Sequence, residues 1–239
     1  MWWVLVSALV LAGNETDTQT RLVALPAGKT LAVDATIASV RIEGWDKPDA
    51  EITIERHAPS AELYAKLPVA IDDTPSRVTV RAIQSEGLTD PAYRCDILIR
   101  LPRSAVIDRV QVMEGRVAVT RFAGTLTADI RRGSIEGRDL SGTLRLESGI
   151  GSVVLTAARL STDGLLRLRA FNGDVRLSLA ERPTDARIMA LALNGDIKSD
   201  IPLTMKNTWG PRWGETTLGK GEPVISLDVV TGTIEIKAP

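Results

Sequence analysis

Gly115-Arg116-Val117, Gly133-Ser134-Ile135 and Gly151-Ser152-Val153 are three occurrences of the Gly-x-(Val/Ile) step that decides the fold of this chain. The step occurs three more times, and the first four intervals between its glycines are 18, 18, 22 and 22 residues. A nearly constant period of this length is typical of repeat proteins, in which each repeat is one small structural unit. The six glycines are Gly115, Gly133, Gly151, Gly173, Gly195 and Gly232.

The segments around these glycines alternate aliphatic and polar residues. In Thr143-Leu144-Arg145-Leu146-Glu147, this alternation places the two leucines on one face of a strand and the two charges on the other. We interpret the glycines as structural turns, because glycine accepts positive φ and close backbone approach. Stacked repeats would align their aliphatic residues in two columns. The predicted columns contain Leu126, Leu144 and Leu166, and Val117, Ile135, Val153, Val175 and Ile197. The pattern therefore predicts an all-β, single-domain β-solenoid (β-helix) with short coils of about 18–22 residues.

Composition excludes several classes of protein. With 44% hydrophobic and 25% charged residues, the 239-residue chain has enough apolar material for a packed core. The formal net charge is -1, so the chain lacks the basic excess that is typical of nucleic-acid-binding proteins. The single Cys95 excludes an internal disulfide, and the single His57 excludes zinc sites with two or more histidines. We expect no cofactor and no nucleic-acid partner.

The ends of the chain and one internal break define the predicted domains. Residues 1–12 are apolar and end in Val10-Leu11-Ala12, which predicts a signal peptide. This run is shorter than the roughly 20 residues of a membrane-spanning helix, so we expect no transmembrane anchor in the mature chain. Residues 13–20 are polar and predict a flexible lead. The solenoid domain is predicted over 21–239, with an inserted loop at 203–223.

Three later segments carry a resemblance to a known family. Asn172-Gly173-Asp174-Val175, Asn194-Gly195-Asp196-Ile197 and Thr231-Gly232-Thr233-Ile234-Glu235-Ile236 resemble the repeated turns of a bacterial putative-adhesin family of unknown function. The resemblance implies a β-helical domain located in the periplasm or on the cell surface. It implies no catalytic residues.

Trp209, Arg212 and Trp213 are the first candidate binding residues. They lie in the longest break of the repeat, the 37 residues from Gly195 to Gly232. Two indoles beside a guanidinium group would suit a sugar or the surface of a partner protein. The alternative is that the loop covers the solenoid, with its tryptophans packed inward.

Four arginines are the second candidate site. The alternation places them on outward positions of consecutive strands, where they would suit an anionic glycan or lipid head group. From Gly115 to Arg187 the chain has 12 Arg against 8 Asp and Glu. The alternative is a solvated sheet face whose charges prevent aggregation. The four residues are Arg145, Arg167, Arg169 and Arg176.

Other polar residues predict little chemistry. Asp174 and Asp196 follow turn glycines, but their 22-residue interval differs from the nine-residue repeat of calcium-binding β-rolls, so we expect turn hydrogen bonds and no metal. His57 has no nucleophile motif beside it. Asp129, Glu147 and Asp174 are the acids that a polysaccharide-active enzyme would use.

These observations predict a non-catalytic protein. We expect an exported structural or interaction module of the cell envelope, periplasmic or on the cell surface, whose partner is an envelope protein or a glycan. Two alternatives remain open at this stage. One is a polysaccharide-active β-helix enzyme, and the other is an envelope stress or regulatory protein that docks a membrane partner. The oligomeric state does not follow from the sequence.

Overall fold

The computed structural model describes residues 15–85, 92–206 and 210–239 of the chain. These residues form sixteen strands and one short 3₁₀ helix (Ala61–Lys66). The strands are β1 (Glu15–Ala24), β2 (Thr30–Trp45), β3 (Asp49–Ala58), β4 (Val69–Asp73), β5 (Arg77–Ala82), β6 (Arg94–Pro102), β7 (Val106–Phe122), β8 (Thr125–Leu140), β9 (Thr143–Ile150), β10 (Val153–Ala158), β11 (Leu165–Asn172), β12 (Val175–Leu179), β13 (Ala186–Ser199), β14 (Thr204–Lys206), β15 (Arg212–Leu218) and β16 (Val224–Lys237). The all-β class is confirmed.

The strands are arranged as two walls that meet at the turn glycines. The first wall contains the segments before each glycine, and the second wall contains those after it. β9 and β11 belong to the first wall and β10 and β12 to the second, whereas β7, β8, β13 and β16 run through both. Aliphatic residues are buried between the walls because alternation points every second side chain inward, as with Leu144 and Leu146.

Six strands form a closed ring of parallel pairs, in the order β8, β9, β11, β16, β12, β10 and back to β8. The sheet therefore closes into a six-stranded parallel barrel, to which the remaining strands are added. The prediction of a β-solenoid with coils of 18–22 residues is wrong. In a solenoid each coil contacts only its neighbours in the chain. Here β8 pairs with β9 on the first wall and with β10 on the second, and β16 pairs with β11 on the first wall and with β12 on the second. These pairings join the two walls into a ring.

The order of the last strands also differs from the order of the chain. β16, the final strand, lies between β12 and β13 on the second wall and between β11 and β13 on the first. β13 is followed outward by β15 and β14, which are antiparallel. The predicted inserted loop at 203–223 thus contains two strands that widen the first wall.

The predicted aliphatic columns are confirmed, with the residues of β16 added to them. In the first wall, Leu126, Leu144 and Leu166 are register neighbours in turn, and Ile225 follows Leu166. The second-wall column, followed from Val117 onward, crosses six strands. Its members, in order, are Val117, Ile135, Val153, Val175, Ile234 and Ile197.

The turn glycines form a third column. All six have φ between +138° and +154°, a region that residues with a side chain rarely adopt. A Cβ added to Gly133 would lie 1.9 Å from the carbonyl oxygen of Gly115, and one added to Gly151 would lie 1.9 Å from that of Gly133. Glycine is therefore required here both by backbone conformation and by the approach of the next strand.

The N-terminal part extends the second wall with one parallel pair, β2 with β6, followed by two antiparallel pairs. β6 pairs with β2, β3 pairs with β6, and β1 pairs with β3. The prediction of a flexible lead at 13–20 is wrong for residues 15–20, which form the first part of β1. Their polar side chains suit an edge strand, because among the described strands β1 pairs with β3 alone. The predicted signal peptide at 1–12 lies outside the described residues.

Across the parts of the chain that the structure describes, no helix has the length and apolar character needed to span a membrane.

Candidate functional site

Of the predicted tryptophan site, the structure describes Arg212 and Trp213, and their side chains have different partners. Trp213 lies on β15, half-buried, as the register neighbour of Leu191 on β13. Its indole N–H donates a hydrogen bond to Oε2 of Glu215 at 3.2 Å. A hydrogen bond from Lys206, and to a smaller extent one from Trp213, lowers the pKa of Glu215. Trp209 lies outside the described residues.

Arg212 does not point to the same place as Trp213. Its guanidinium group forms a 2.8 Å ion pair with Asp196, directly after the turn glycine of β13. Both side chains are more than half exposed, so the pair contributes little to stability. Arg212 therefore links β15 to the glycine corner.

Three of the four predicted arginines share the outer face of the first wall. Arg145 and Arg167 are register neighbours on β9 and β11, and no carboxylate of the described residues lies within 4.0 Å of either. Arg169 has a 3.8 Å contact to Glu147 and stacks on the ring of Phe171, 4.7 Å from its centroid. Arg176 is separate from these three. It lies on β12 in the second wall, paired with Asp174 and Glu235.

The same outer face contains a row of apolar side chains. Ala170 and Asn172 of β11 pair with Val229 and Thr231 of β16, so Phe171 lies beside Val230. By the same register in β13, Val230 lies beside Leu193. Phe171 is 39% exposed and Leu193 is 41% exposed. With Leu191 and Trp213, these residues form a continuous surface, which we call the apolar row: Phe171, Val230, Leu193, Leu191 and Trp213.

Phe171, Val230 and Leu193 do not follow from the glycine repeat, although the sequence contains a signal for them. In β13, the segment Ile188-Met189-Ala190-Leu191-Ala192-Leu193 is apolar at every position. A strand with one solvated face should alternate, so apolar residues at its outward positions indicate a surface that is covered by something else. The glycine repeat by itself predicts only the inward positions.

The predicted acids come together only in part. Asp129 and Glu147 are register neighbours on the outer face of the first wall. Asp174 lies at the glycine corner, where its Oδ1 accepts a hydrogen bond from the backbone N–H of Thr233 at 3.0 Å. The three acids therefore do not converge on one groove.

Asp129 should make stability depend on pH. Burial raises the pKa of its carboxyl group above the ordinary value. The folded state therefore favours the protonated form of Asp129. As the pH rises from the pKa of this carboxyl group in the unfolded state to its higher pKa in the folded state, the wild type loses stability. We expect Asp129→Asn to raise the urea midpoint at pH 7 and to leave it unchanged at about pH 3, where the carboxyl is protonated in both states.

The gain at pH 7 should be small, below about 0.5 kcal/mol, because the Asp129 side chain is only partly removed from water. Thr127→Ala is the control, because it changes an uncharged side chain on the same strand and shows the effect of a substitution on this face without a change of charge. A midpoint at pH 7 that is lower in Asp129→Asn than in the wild type would contradict the prediction.

Asp174 and Asp196 are not stacked on each other. Thr233 of β16 lies between them, because β16 is inserted between β12 and β13. Among the described residues, no group of three or more His, Cys, Asp or Glu side chains is arranged to hold a metal ion. The two aspartates instead bind the Thr233 backbone and the guanidinium groups of Arg176 and Arg212.

Cys95 and His57 are both buried in the N-terminal part. Burial raises the pKa of the Cys95 thiol to about 12, so it carries no thiolate at neutral pH. The Nε2 atom of His57 lies 2.8 Å from Oδ2 of Asp96 and 3.5 Å from Oε1 of Glu55. Its side chain is therefore held by two carboxylates on the outer face of the second wall.

Comparison with known proteins identifies relatives in structure. The fold is similar to that of a putative cell adhesion protein from Clostridium sporogenes, with a TM-score of 0.50 and 13% identity over 94% of this chain and 100% of that one. A putative adhesin from Bacteroides fragilis gives a TM-score of 0.35 and 8% identity, over 92% of this chain and 96% of that one. No protein-family model matches the chain, and no curated protein is similar to it in sequence. The first likeness shows that the chain shares a fold with a bacterial protein named for cell adhesion.

Proposed function

We propose that this protein is a non-catalytic, adhesin-like interaction module of the bacterial cell envelope, and that it docks through the outer face of the first wall. The observation that carries the proposal is the apolar row. Contiguous apolar side chains on a protein surface mark interaction sites, because leaving them in water is unfavourable. The neighbouring Arg145 and Arg167 lie side by side, with no carboxylate partner in the part of the chain that the structure describes, and they add polar contacts for a bound surface.

The fold likeness supports the adhesion part of the proposal. The Clostridium sporogenes protein is named for cell adhesion, and we extend that role to this chain as a hypothesis. An exported location, in the periplasm or on the cell surface, is proposed from the apolar segment at 1–12. Cell fractionation with sequencing of the mature N-terminus tests it, since a cytoplasmic protein that retains residues 1–12 would contradict export.

Sedimentation with isolated bacterial envelopes tests the docking face. We expect the wild type to sediment with the envelopes and Phe171→Ser, Leu193→Ser to remain largely in the supernatant, because the apolar row no longer buries its area. Leu22→Ser is the matched control, since Leu22 is 51% exposed but lies on β1 at the edge of the second wall. If the double variant binds as well as the wild type and has the same urea midpoint, this face is not the docking site.

One observation favours a second candidate function. Asp129 and Glu147 are adjacent, and burial raises the pKa of Asp129, which is an arrangement of two carboxylates in different environments. A polysaccharide-active enzyme would need such a pair. Release of reducing sugar from envelope glycans by the wild type, lost in Asp129→Asn, would support this alternative and contradict the non-catalytic proposal.

The regulatory alternative uses the same face. A membrane partner would contact Trp213 and the rest of the apolar row, because Trp213 is the described tryptophan of the 203–223 segment. Envelope binding that persists after glycan digestion and is lost after mild proteolysis would favour this alternative.

A further inference from the structure

We propose that this protein dimerises through its first strand, with β1 of one copy and β1 of the other as antiparallel neighbours in one continuous sheet. The proposal goes beyond the docking face, because it uses the far edge of the second wall. Among the described strands, β1 pairs with β3 alone, so none of them takes up the N–H and C=O groups on its other side. A strand added to such an edge forms main-chain hydrogen bonds along its length.

β1 lacks the features that commonly protect an edge strand. It has 10 residues in unbroken register with β3, and it contains no proline, no lysine and no β-bulge. Such features keep other strands away, whereas a long regular edge favours pairing. Val23 is buried, so alternation points Thr16, Thr18 and Thr20 to the outer face, and threonine favours the extended conformation. β1 is therefore suited to strand addition.

The side chains of β1 are self-complementary about Gln19. When Gln19 of one copy lies opposite Gln19 of the other, Asp17 of each copy faces Arg21 of the other, and Thr18 faces Thr20. An interface between identical copies requires such reciprocal contacts. Opposite charges and threonine pairs that face each other across an antiparallel pair are stabilising, and this register places no like charges opposite each other among these residues. The charges therefore favour a second copy as the partner.

Both charged side chains have capacity left for these contacts. Nε of Arg56 donates a 2.8 Å hydrogen bond to Oδ2 of Asp17, and no described residue donates to Oδ1 of Asp17. Nη1 of Arg21 donates to the carbonyl oxygen of Ile71 at 2.7 Å, and its Nη2 lies 3.9 Å from Asp73. The Arg21 side chain is still 48% exposed. Charges on an edge strand usually oppose pairing, but a second copy in this register supplies both counter-charges.

The ends of the two walls leave space for a partner strand at β1. The second wall continues from β2 through β6 and β3 to β1, whereas the first wall continues from β2 through β5 only to β4. The second wall is therefore one strand longer at this end. At its other end, the second half of β13 is also a free edge among the described strands, but there the first wall extends further through β15 and β14. A second copy would meet those strands before it reached β13.

Sedimentation velocity over a dilution series tests dimerisation. We expect the wild type to dimerise and Gln19→Lys to dimerise about three- to tenfold more weakly, because two lysines would face each other at the two-fold axis. Gln19→Glu should be weakened as well. An equimolar mixture of the two variants should recover at least the wild-type affinity, because each lysine then faces a glutamate. Recovery also shows that both variants are folded. Phe171→Ser, Leu193→Ser is the control and should dimerise like the wild type, since both residues lie on the first wall.

Cysteine cross-linking measures the register. In Gln19→Cys the two new thiols lie opposite each other, and we expect a disulfide-linked dimer under mild oxidation. Leu22→Cys is the matched control on the same strand, because Leu22 is 51% exposed. In the proposed register Leu22 faces Thr16, so the two cysteines of Leu22→Cys would lie about 20 Å apart and should not cross-link. The native Cys95 is buried and does not interfere.

A wild type that stays monomeric at every concentration overturns the proposal. A mixture of the two Gln19 variants that associates no better than either variant alone overturns it too, as does a dimer that cross-links as readily through Leu22→Cys as through Gln19→Cys. The envelope assay separates these results from failure of the proposed function. If Phe171→Ser, Leu193→Ser binds envelopes like the wild type while the Gln19 variants behave as expected, the docking face is rejected and the β1 dimer is supported.

Discussion

Replacing Gly133 with alanine should lower the free energy of unfolding by about 3–5 kcal/mol. Two effects add at this position. An alanine would be strained at the observed φ of +141°, and its Cβ would lie 1.9 Å from the carbonyl oxygen of Gly115 and 2.8 Å from Cδ1 of Ile130. Because Gly115 belongs to a neighbouring strand of the same ladder, relief of the contact would require β7 and β8 to separate. Urea denaturation measures the loss.

Gly28→Ala is the matched control for Gly133→Ala. Gly28 also has a positive φ, of +89°, but nothing lies within 4 Å of an added Cβ. Its substitution should therefore cost only the backbone term, about 1 kcal/mol. Equal losses for the two variants would show that the close approach of strands does not contribute, and would contradict the glycine column as a packing constraint.

Ile234→Ala should cost about 2–4 kcal/mol, whereas Ile197→Ala should cost about 1 kcal/mol. Ile234 is completely buried in the second-wall column, with Val175 on one side and Ile197 on the other. Truncation there leaves a cavity that the surrounding strands cannot fill. Ile197 ends the described column and is only half-buried, so water can occupy the space.

The comparison tests the strand order directly. If the segments stacked in the order of the chain, Ile197 would pack between Val175 and Ile234, and its truncation would be the more costly of the two. Equilibrium unfolding of both variants in urea, under the same conditions, distinguishes the two orders. A greater loss for Ile197→Ala would contradict the insertion of β16.

The strands and their register were predictable from local patterns. Alternation in Thr143-Leu144-Arg145-Leu146-Glu147 places the leucines inward whatever lies beside the strand, because successive side chains point to opposite faces. A shift of one residue would turn the leucines to water, so the register of Leu144 with Leu126 and Leu166 follows from burial alone. Polar composition misled the prediction for residues 15–20, since an edge strand needs few apolar side chains.

The candidate site was predictable only in part. The common outer face of Arg145, Arg167 and Arg169 follows from the sequence, because their spacing within the strands determines the face they occupy. The prediction that Arg176 lies with them is wrong, because Arg176 follows the Gly173 corner and therefore lies on the other wall. Phe171, Val230 and Leu193 come from three strands, and their contact depends on β16 lying between β11 and β13.

The sequence by itself determined the all-β class, the inward faces of the strands and the need for glycine at the corners. These are local properties, set by the period of two along a strand and by the missing Cβ. Only the tertiary structure decided which strands are neighbours. The Gly-x-(Val/Ile) step fits equally well beside any other copy of itself, so the repeat is compatible with a solenoid in chain order and with the ring that β16 closes. Long-range pairing selects the ring, and with it brings Phe171, Val230 and Leu193 into one row.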